Sequence, residues 1–103
     1  IQHISKQTLP LAVLGFFTLL AACSGPQGNA EDGKRWYAMH NCSACHGQNG
    51  NDGRAPNIKR LDMGFGSFVR KLRRTDTSIM PAFPESKLSE KDAADIYAFL
   101  NKK

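Results

Sequence analysis

A chain of 103 residues has room for one domain and can bury only a modest core. Its composition, 41% apolar residues with a formal net charge of +5, fits a globular domain with a basic surface. The three cysteines are an odd number, so in an exported protein each needs a separate role.

The N-terminal segment has the pattern of a secretion signal. An uncharged run, LPLAVLGFFTLLAA at residues 9–22, follows a short start that carries Lys6 and ends in small residues. A membrane-spanning helix needs about 20 apolar residues, and this run is shorter and contains Pro10. We therefore predict that residues 1–22 are a signal peptide outside the folded domain.

Residues 20–23, LAAC, resemble the cleavage box of bacterial lipoproteins. The resemblance implies that cleavage leaves Cys23 as the first residue and that its sulfur carries a diacylglycerol. Such an anchor is stable, because each buried methylene contributes about 0.8 kcal/mol and the lipid has two acyl chains. Residues 23–30, with Gly, Pro and polar side chains, are predicted to be a flexible tether. The alternative is an ordinary signal peptide followed by an incidental cysteine.

A helix is predicted over residues 31–41, because acidic residues open it and three aromatic rings share one face: Trp36, Tyr37 and His40. It leads into CSACH at residues 42–46. Two thiols one helical turn apart can reach the two vinyl groups along one edge of a haem, and the adjacent histidine then faces the iron. The motif therefore predicts covalent haem at Cys42 and Cys45, with His46 as an axial ligand.

Two other interpretations fit the CxxC part of this motif alone. A thioredoxin-like redox pair would be expected beside a βαβ pattern, which the sequence lacks. A zinc site would need further cysteines, which are also missing. If lipid takes Cys23 and haem takes Cys42 and Cys45, no cysteine remains for a disulfide.

The rest of the chain predicts a loop and two more helices. Residues 48–55, QNGNDGRA, favour turns. Residues 64–74 form an amphipathic helix with one apolar stripe: Phe65, Phe68, Val69 and Leu72. A last helix begins after Ser89, a suitable N-cap with Asp92 three residues on, and buries Ala93, Ile96, Phe99 and Leu100. No segment alternates with a period of two, so the predicted fold is all-α.

Four segments, in this order and spacing, resemble class I monohaem cytochromes c: DGKRWYAMHNCSACHG, RAPNI, SIMPAF and DIYAFL. The resemblance covers residues 31–103. It implies an all-α domain of about three to five short helices around one covalent haem c. It also implies that the first and last helices cross closely, with Gly33 and Tyr37 meeting Ile96 and Phe99.

The candidates for the second axial ligand are three methionines and two histidines: Met39, Met63, Met80, His40 and His3. Lysines are further candidates under unusual conditions. Met80 is the best, because Pro81 and Pro84 stiffen its loop and IMPAFP resembles the family's MPxF segment. Met63 is the main rival and has packing against haem as its alternative role. His40 and Met39 lie too close to the attachment site, and His3 belongs to the signal.

Three further residues are candidates for contacts around the haem. A ligating imidazole usually donates its second N–H to an acceptor. By resemblance that acceptor is the backbone carbonyl of Pro56, whose alternative role is a turn proline. Arg54 and Arg70 are candidates for contacts with the haem propionates.

A haem iron with His and Met as axial ligands has no open position, so the predicted function is electron transfer rather than catalysis. The alternatives are an electron-accepting haem subunit of a dehydrogenase or terminal oxidase complex, and a haem sensor or peroxidase with an open iron site. The partners expected are redox proteins with an acidic docking surface, and the membrane through Cys23, but no nucleic acid. The signal places the domain in the periplasm or at the cell surface, with the outer membrane slightly favoured by Ser24.

Overall fold

The computed structural model describes residues 26–103, which form four helices and no strand. They are α1 (Ala30–Met39), α2 (Cys42–His46), α3 (Phe65–Arg73) and α4 (Glu90–Leu100). The predicted all-α fold is confirmed. Within residues 26–103, no helix combines the length and the hydrophobicity that a membrane span requires. The predicted signal peptide, Cys23 and the first residues of the predicted tether lie outside the described residues.

Side-chain caps fix where the two longest helices begin. The Oδ1 of Asn29 accepts from the amide of Asp32 at 3.0 Å, and the predicted N-cap Ser89 accepts from the amide of Asp92 at 3.0 Å. Helix α1 ends at Met39, two residues earlier than predicted, because Asn41 has a left-handed conformation with φ 62°. Asparagine adopts this conformation more readily than most residues. The chain therefore turns sharply between α1 and α2.

Helices α1 and α4 cross at a glycine. A Cβ at Gly33 would lie 1.9 Å from the carbonyl oxygen of Asp95 and 2.9 Å from the nitrogen of Ile96, so only glycine allows this approach. Next to the crossing, the rings of Tyr37 and Phe99 have centroids 5.3 Å apart. These are the contacts that the resemblance implied. They join the start of the domain to its end.

The core is built on this pair of helices and receives α3 on one side. The apolar stripe of α3 buries Phe68 and Leu72, and the rings of Phe65 and Phe68 lie 5.5 and 5.2 Å from that of Tyr97. The buried apolar cluster has eight members: Tyr37, Phe68, Leu72, Phe83, Leu88, Ala93, Ile96 and Leu100. Partly buried side chains pack against it, among them Cys42, Ile58, Met63, Val69 and Met80.

One carboxylate lies inside the contact between α1 and α4. Asp95 is only 2% exposed, and its Oδ1 accepts from the amide of Asn29 at 2.8 Å and from Lys91 Nζ at 2.5 Å. Its Oδ2 accepts from the indole of Trp36 at 3.1 Å. Burial alone would raise the pKa of Asp95, but these hydrogen bonds favour the charged form and hold the pKa below its usual value of 3.8.

Candidate functional site

The CSACH motif forms a short helix held at both ends by special backbone conformations. The amide of Ala44 donates to the carbonyl of Asn41 at 3.1 Å, and that of Gly47 donates to Ser43 at 3.0 Å. Gly47 ends the helix with φ 86°, which glycine adopts without strain. Cys42 and Cys45 are consequently one helical turn apart on α2. Both are free thiols, Cys45 exposed and Cys42 half-buried against the core.

The environment of Cys42 differs from that of a redox-active cysteine. Burial raises the pKa of its thiol to about 11. Reactive thiols of thioredoxin-like proteins instead have a pKa below the ordinary value, which keeps them partly ionised. The raised pKa of Cys42 therefore does not match that of a reactive thiol in a thioredoxin-like pair.

The imidazole of His46 is buried and has one ring nitrogen fixed by the backbone. Its Nδ1 lies 2.9 Å from the carbonyl oxygen of Pro56. A carbonyl can only accept, so Nδ1 carries the proton and the lone pair is on Nε2. This is the contact that the prediction for Pro56 requires, and it leaves Nε2 free to bind a metal.

The loop at residues 48–55 folds back onto α2 and holds it in place. The amide of Ala55 donates to the carbonyl of Cys45 at 2.9 Å, and a Cβ at Gly53 would lie 2.2 Å from that oxygen. On the other side, the hydroxyl of Tyr37 donates to the carbonyl of Gly47 at 2.7 Å. Burial, reinforced by Cys42 and Asp52, raises the pKa of Tyr37 to about 12, so the hydroxyl remains a donor. Both loop and core fix the helix that carries the motif.

Met80 lies in the segment between α3 and α4, partly buried against the core cluster. Two threonines hold its backbone: its amide donates to Thr77 Oγ1 at 3.2 Å, and its carbonyl accepts from Thr75 Oγ1 at 2.9 Å. Three residues later the ring of Phe83 meets the ring of His40 edge-on, with centroids 5.8 Å apart. Because His40 precedes the CSACH motif, this contact brings the two predicted ligand-bearing segments together.

The remaining candidate residues are two methionines and two arginines: Met63, Met39, Arg54 and Arg70. Met63 is partly buried, and its carbonyl accepts from the hydroxyl of Tyr97 at 2.7 Å. Met39 is 64% exposed on the surface. Arg54 and Arg70 are both exposed, and the Arg70 guanidinium donates to Ser67 on its own helix at 3.0 Å. The possible propionate contacts of the two arginines stay a prediction.

Residues 28–100 match the family model described as cytochrome c oxidase, cbb3-type, subunit III. The chain belongs to this family of c-type cytochromes. The resemblance to small monohaem cytochromes c is thereby confirmed, together with haem c as the cofactor and electron transfer as its general role. No match was found among curated proteins or among solved structures.

The residues of the cytochrome fit the cofactor. Covalent haem needs two free thiols at the CxxCH spacing, and Cys42 and Cys45 supply them on one short helix. The iron needs an imidazole with a free nitrogen, which the contact between His46 and Pro56 provides. Partly buried apolar side chains surround the core cluster, among them Ile58, Met63, Val69 and Met80, and a porphyrin needs apolar contacts of this kind. Among residues 26–103 no group of three or more His, Cys, Asp or Glu side chains forms a metal cluster.

Sequence reasoning missed several residues that hold the site of the cytochrome. Arg73 is one of several basic residues near the end of α3 and carried no predicted role, yet its guanidinium reaches three acceptors beyond the helix. Thr75 and Thr77 carried no motif of their own. Their proximity to the predicted ligand Met80 was the one available signal, since Thr hydroxyls often bond to nearby backbone.

Proposed function

We propose that this cytochrome carries single electrons between redox proteins, with its haem fixed at Cys42 and Cys45 and its iron held between His46 and Met80. Bound haem supplies a ferric/ferrous couple, whose potential a thioether ligand raises. The chain's own residues attach the cofactor, orient the imidazole and present the methionine sulfur. If His46 and Met80 both bind the iron, no position on it would remain for a substrate.

The fixed imidazole of His46 is the observation that carries the proposal. Its Nδ1 is engaged by Pro56 at 2.9 Å, and it lies on the same short helix as the two thiols. An imidazole held in one tautomer and one orientation is a constant ligand in both oxidation states. Little rearrangement on electron transfer is what a carrier requires.

Two exposed apolar side chains support docking near the ligand-bearing segments. Met39 is 64% exposed and Ile79 is 86% exposed, the latter next to Met80. The contact between His40 and Phe83 joins the segments on which they lie. Basic residues in α3 and directly after it supply positive charge that would attract an acidic partner: Arg70, Lys71 and Arg74. We propose that the donor and the acceptor are acidic redox proteins.

The location of the cytochrome is also part of the proposal. Haem is attached to c-type chains outside the cytoplasm, and residues 1–23 have the pattern of a lipoprotein signal. We propose that Cys23 is lipidated and that the domain is held at a membrane surface, in the periplasm or at the cell surface. Mass spectrometry of the mature N-terminus tests this, because an unmodified N-terminus beyond residue 23 would contradict it.

The axial ligands are tested by visible spectra of the purified exported protein, ferric and reduced, with and without carbon monoxide. The wild type is expected to be low-spin, to show the weak long-wavelength band from sulfur to ferric iron, and to be indifferent to carbon monoxide. Met80→Ala should lose that band and bind carbon monoxide, while Met63→Leu should keep the wild-type spectrum. A wild type that binds carbon monoxide would instead indicate a sensor or a peroxidase.

A second candidate function is favoured by the family match, whose model is described as a subunit of a cbb3-type oxidase. In that case the cytochrome would accept electrons as part of a complex. Mild detergent extraction and affinity purification of the tagged full chain distinguish the two functions. Stoichiometric recovery of other haem-containing subunits would show a complex, and recovery of the cytochrome alone would show a free carrier.

A further inference from the structure

The segment that carries Met80 is a loop closed at its base. The amide of Phe83 donates to the carbonyl of Leu72 at 2.7 Å, which joins the end of the loop to the last turn of α3. Residues 74–82 lie between these two points. Compact loops whose ends meet in this way move as units when their closing contacts break. The contacts at the base therefore decide how firmly the loop holds Met80.

Arg73 makes most of the remaining contacts at this base. Its Nη1 donates to the carbonyl of Phe83 and to that of Leu88, each at 2.7 Å, and its Nη2 pairs with Glu85 Oε2 at 2.7 Å. One guanidinium thus links α3 to both ends of the turn at residues 83–88. The Arg73 side chain is 21% exposed and both Phe83 and Leu88 are buried, so water competes little for the two bonds to their carbonyls.

Hydrogen bonds and a short stretch of chain connect the base of the loop to Met80. Thr75, two residues after Arg73, donates to the carbonyl of Met80, and Thr77 accepts from the amide of Met80. On the other side, Phe83 follows Met80 by three residues and is buried in the core. The backbone of Met80 is consequently bound on one side by the threonines and on the other by the segment that Arg73 holds.

We propose that Arg73 is a positioning residue for the axial methionine, and that its guanidinium keeps the Met80 loop closed. The inference rests on the proposed ligation of iron by Met80. Arginine suits the task because its planar fork donates to several acceptors in fixed directions, whereas a lysine is a single point of charge. Without Arg73, the buried carbonyls of Phe83 and Leu88 lose their donor, and the loop opens more often.

Imidazole binding to the ferric holoprotein measures this opening, because imidazole reaches the iron only after Met80 has left. Arg73→Met keeps an unbranched, flexible side chain of similar bulk near the backbone and removes every donor. It is expected to accelerate imidazole binding by about tenfold to a hundredfold and to weaken the sulfur-to-iron band. Arg73→Lys should give an intermediate rate, because it retains the charge and part of the donor capacity.

Two control variants separate positioning from general destabilisation. Arg35→Met removes an arginine whose ion pair with Asp32 lies on α1, away from the loop. Gly33→Ala destabilises the crossing of α1 and α4 without touching the loop. Both should bind imidazole at about the wild-type rate. If Gly33→Ala and Arg73→Met accelerate binding equally at equal loss of unfolding free energy, the role of Arg73 is merely structural and the inference is wrong.

Two further outcomes distinguish an error about Arg73 from an error about the ligation by Met80. A wild-type rate and an intact sulfur band in Arg73→Met would overturn the role of Arg73 while leaving Met80 as the ligand. A wild-type protein without the sulfur band would overturn the proposed ligation and this inference with it. If Arg73→Met does not fold, Arg73→Lys decides: acceleration supports the inference, and an unchanged rate contradicts it.

Discussion

Asp95 holds a charge where water is nearly excluded, and three donors from different parts of the chain make this possible. They come from the segment before α1, from α1 itself and from α4: the amide of Asn29, the indole of Trp36 and the ammonium of Lys91. A buried carboxylate without such partners would be protonated or would unfold its surroundings. The residue therefore stabilises the helix pair only in its charged form.

Replacing Asp95 with Asn is expected to lower the free energy of unfolding at neutral pH by about 1–3 kcal/mol. An amide has one acceptor oxygen, and its NH₂ group would face a donor. Because folding lowers the pKa of Asp95 below 3.8, its contribution is complete above that pH and is lost as the pH falls through the folded-state value. Urea titrations of both proteins should therefore converge in acid.

The control for this experiment is Glu90→Gln, which removes an exposed carboxylate from the same helix. It should change the free energy of unfolding by less than about 0.5 kcal/mol at neutral pH. A gap between wild type and Asp95→Asn that stays constant down to strongly acidic pH would show that the charge of Asp95 is not what stabilises the fold.

At the scale of the elements, the crossing of α1 and α4 depends on Gly33, which has no side chain. The backbone of α4 at Asp95 and Ile96 occupies the volume where a Cβ of Gly33 would lie. Backbone atoms cannot rotate away as a flexible side chain can. Any larger residue at position 33 must therefore separate the two helices.

Gly33→Ala is expected to destabilise the domain by about 1–3 kcal/mol, in spite of the higher helix propensity of alanine. The matched control is Gly66→Ala in α3, where the added Cβ would meet only Arg70 Nη1 at 3.7 Å. That variant should be neutral or more stable by up to about 1 kcal/mol. Thermal unfolding of both variants, followed by circular dichroism, measures the difference; equal behaviour would contradict the close crossing.

Local signals in the sequence were sufficient for most of the helices. Ser89 caps α4 as predicted, and the apolar stripe of α3 buries Phe68 and Leu72. The end of α1 was placed too late, because the left-handed conformation of Asn41 has no signature beyond the residue type. Arg73 was missed for a different reason: an arginine among other basic residues is indistinguishable from a solvated one until the acceptors of a distant segment are known.

At the scale of the whole molecule, the part of the chain that the structure describes has a small buried core. Eight buried apolar residues form its centre, and partly buried apolar side chains surround them, among them Ile58, Met63, Val69 and Met80. A domain of about 80 residues gains little net stability from such a core alone. The cofactor is thus expected to complete the folded state rather than to occupy a finished pocket.

A Cys42→Ser, Cys45→Ser variant, which cannot attach haem covalently, should lose most of its helix. Far-ultraviolet circular dichroism of the purified variant, compared with the holoprotein, measures the loss. Cys45→Ser alone retains one attachment point and should fall between the two. Full helicity in the haem-free double variant would show that the polypeptide folds on its own.

The fastening of the chain before α1 has a mechanical consequence. The backbone at Gly28 lies directly against Ala94, and the amide of Asn29 donates to Asp95. The segment before α1 is thus attached to the middle of α4. A force applied to the chain before Gly28 would reach the domain at this contact. The contact lies at the opposite end of α1 from the CSACH motif. Helix α1 has ten residues, which corresponds to about 15 Å. Tension would therefore load the pair of α1 and α4 first, and the haem-bearing end of the protein would be shielded from strain.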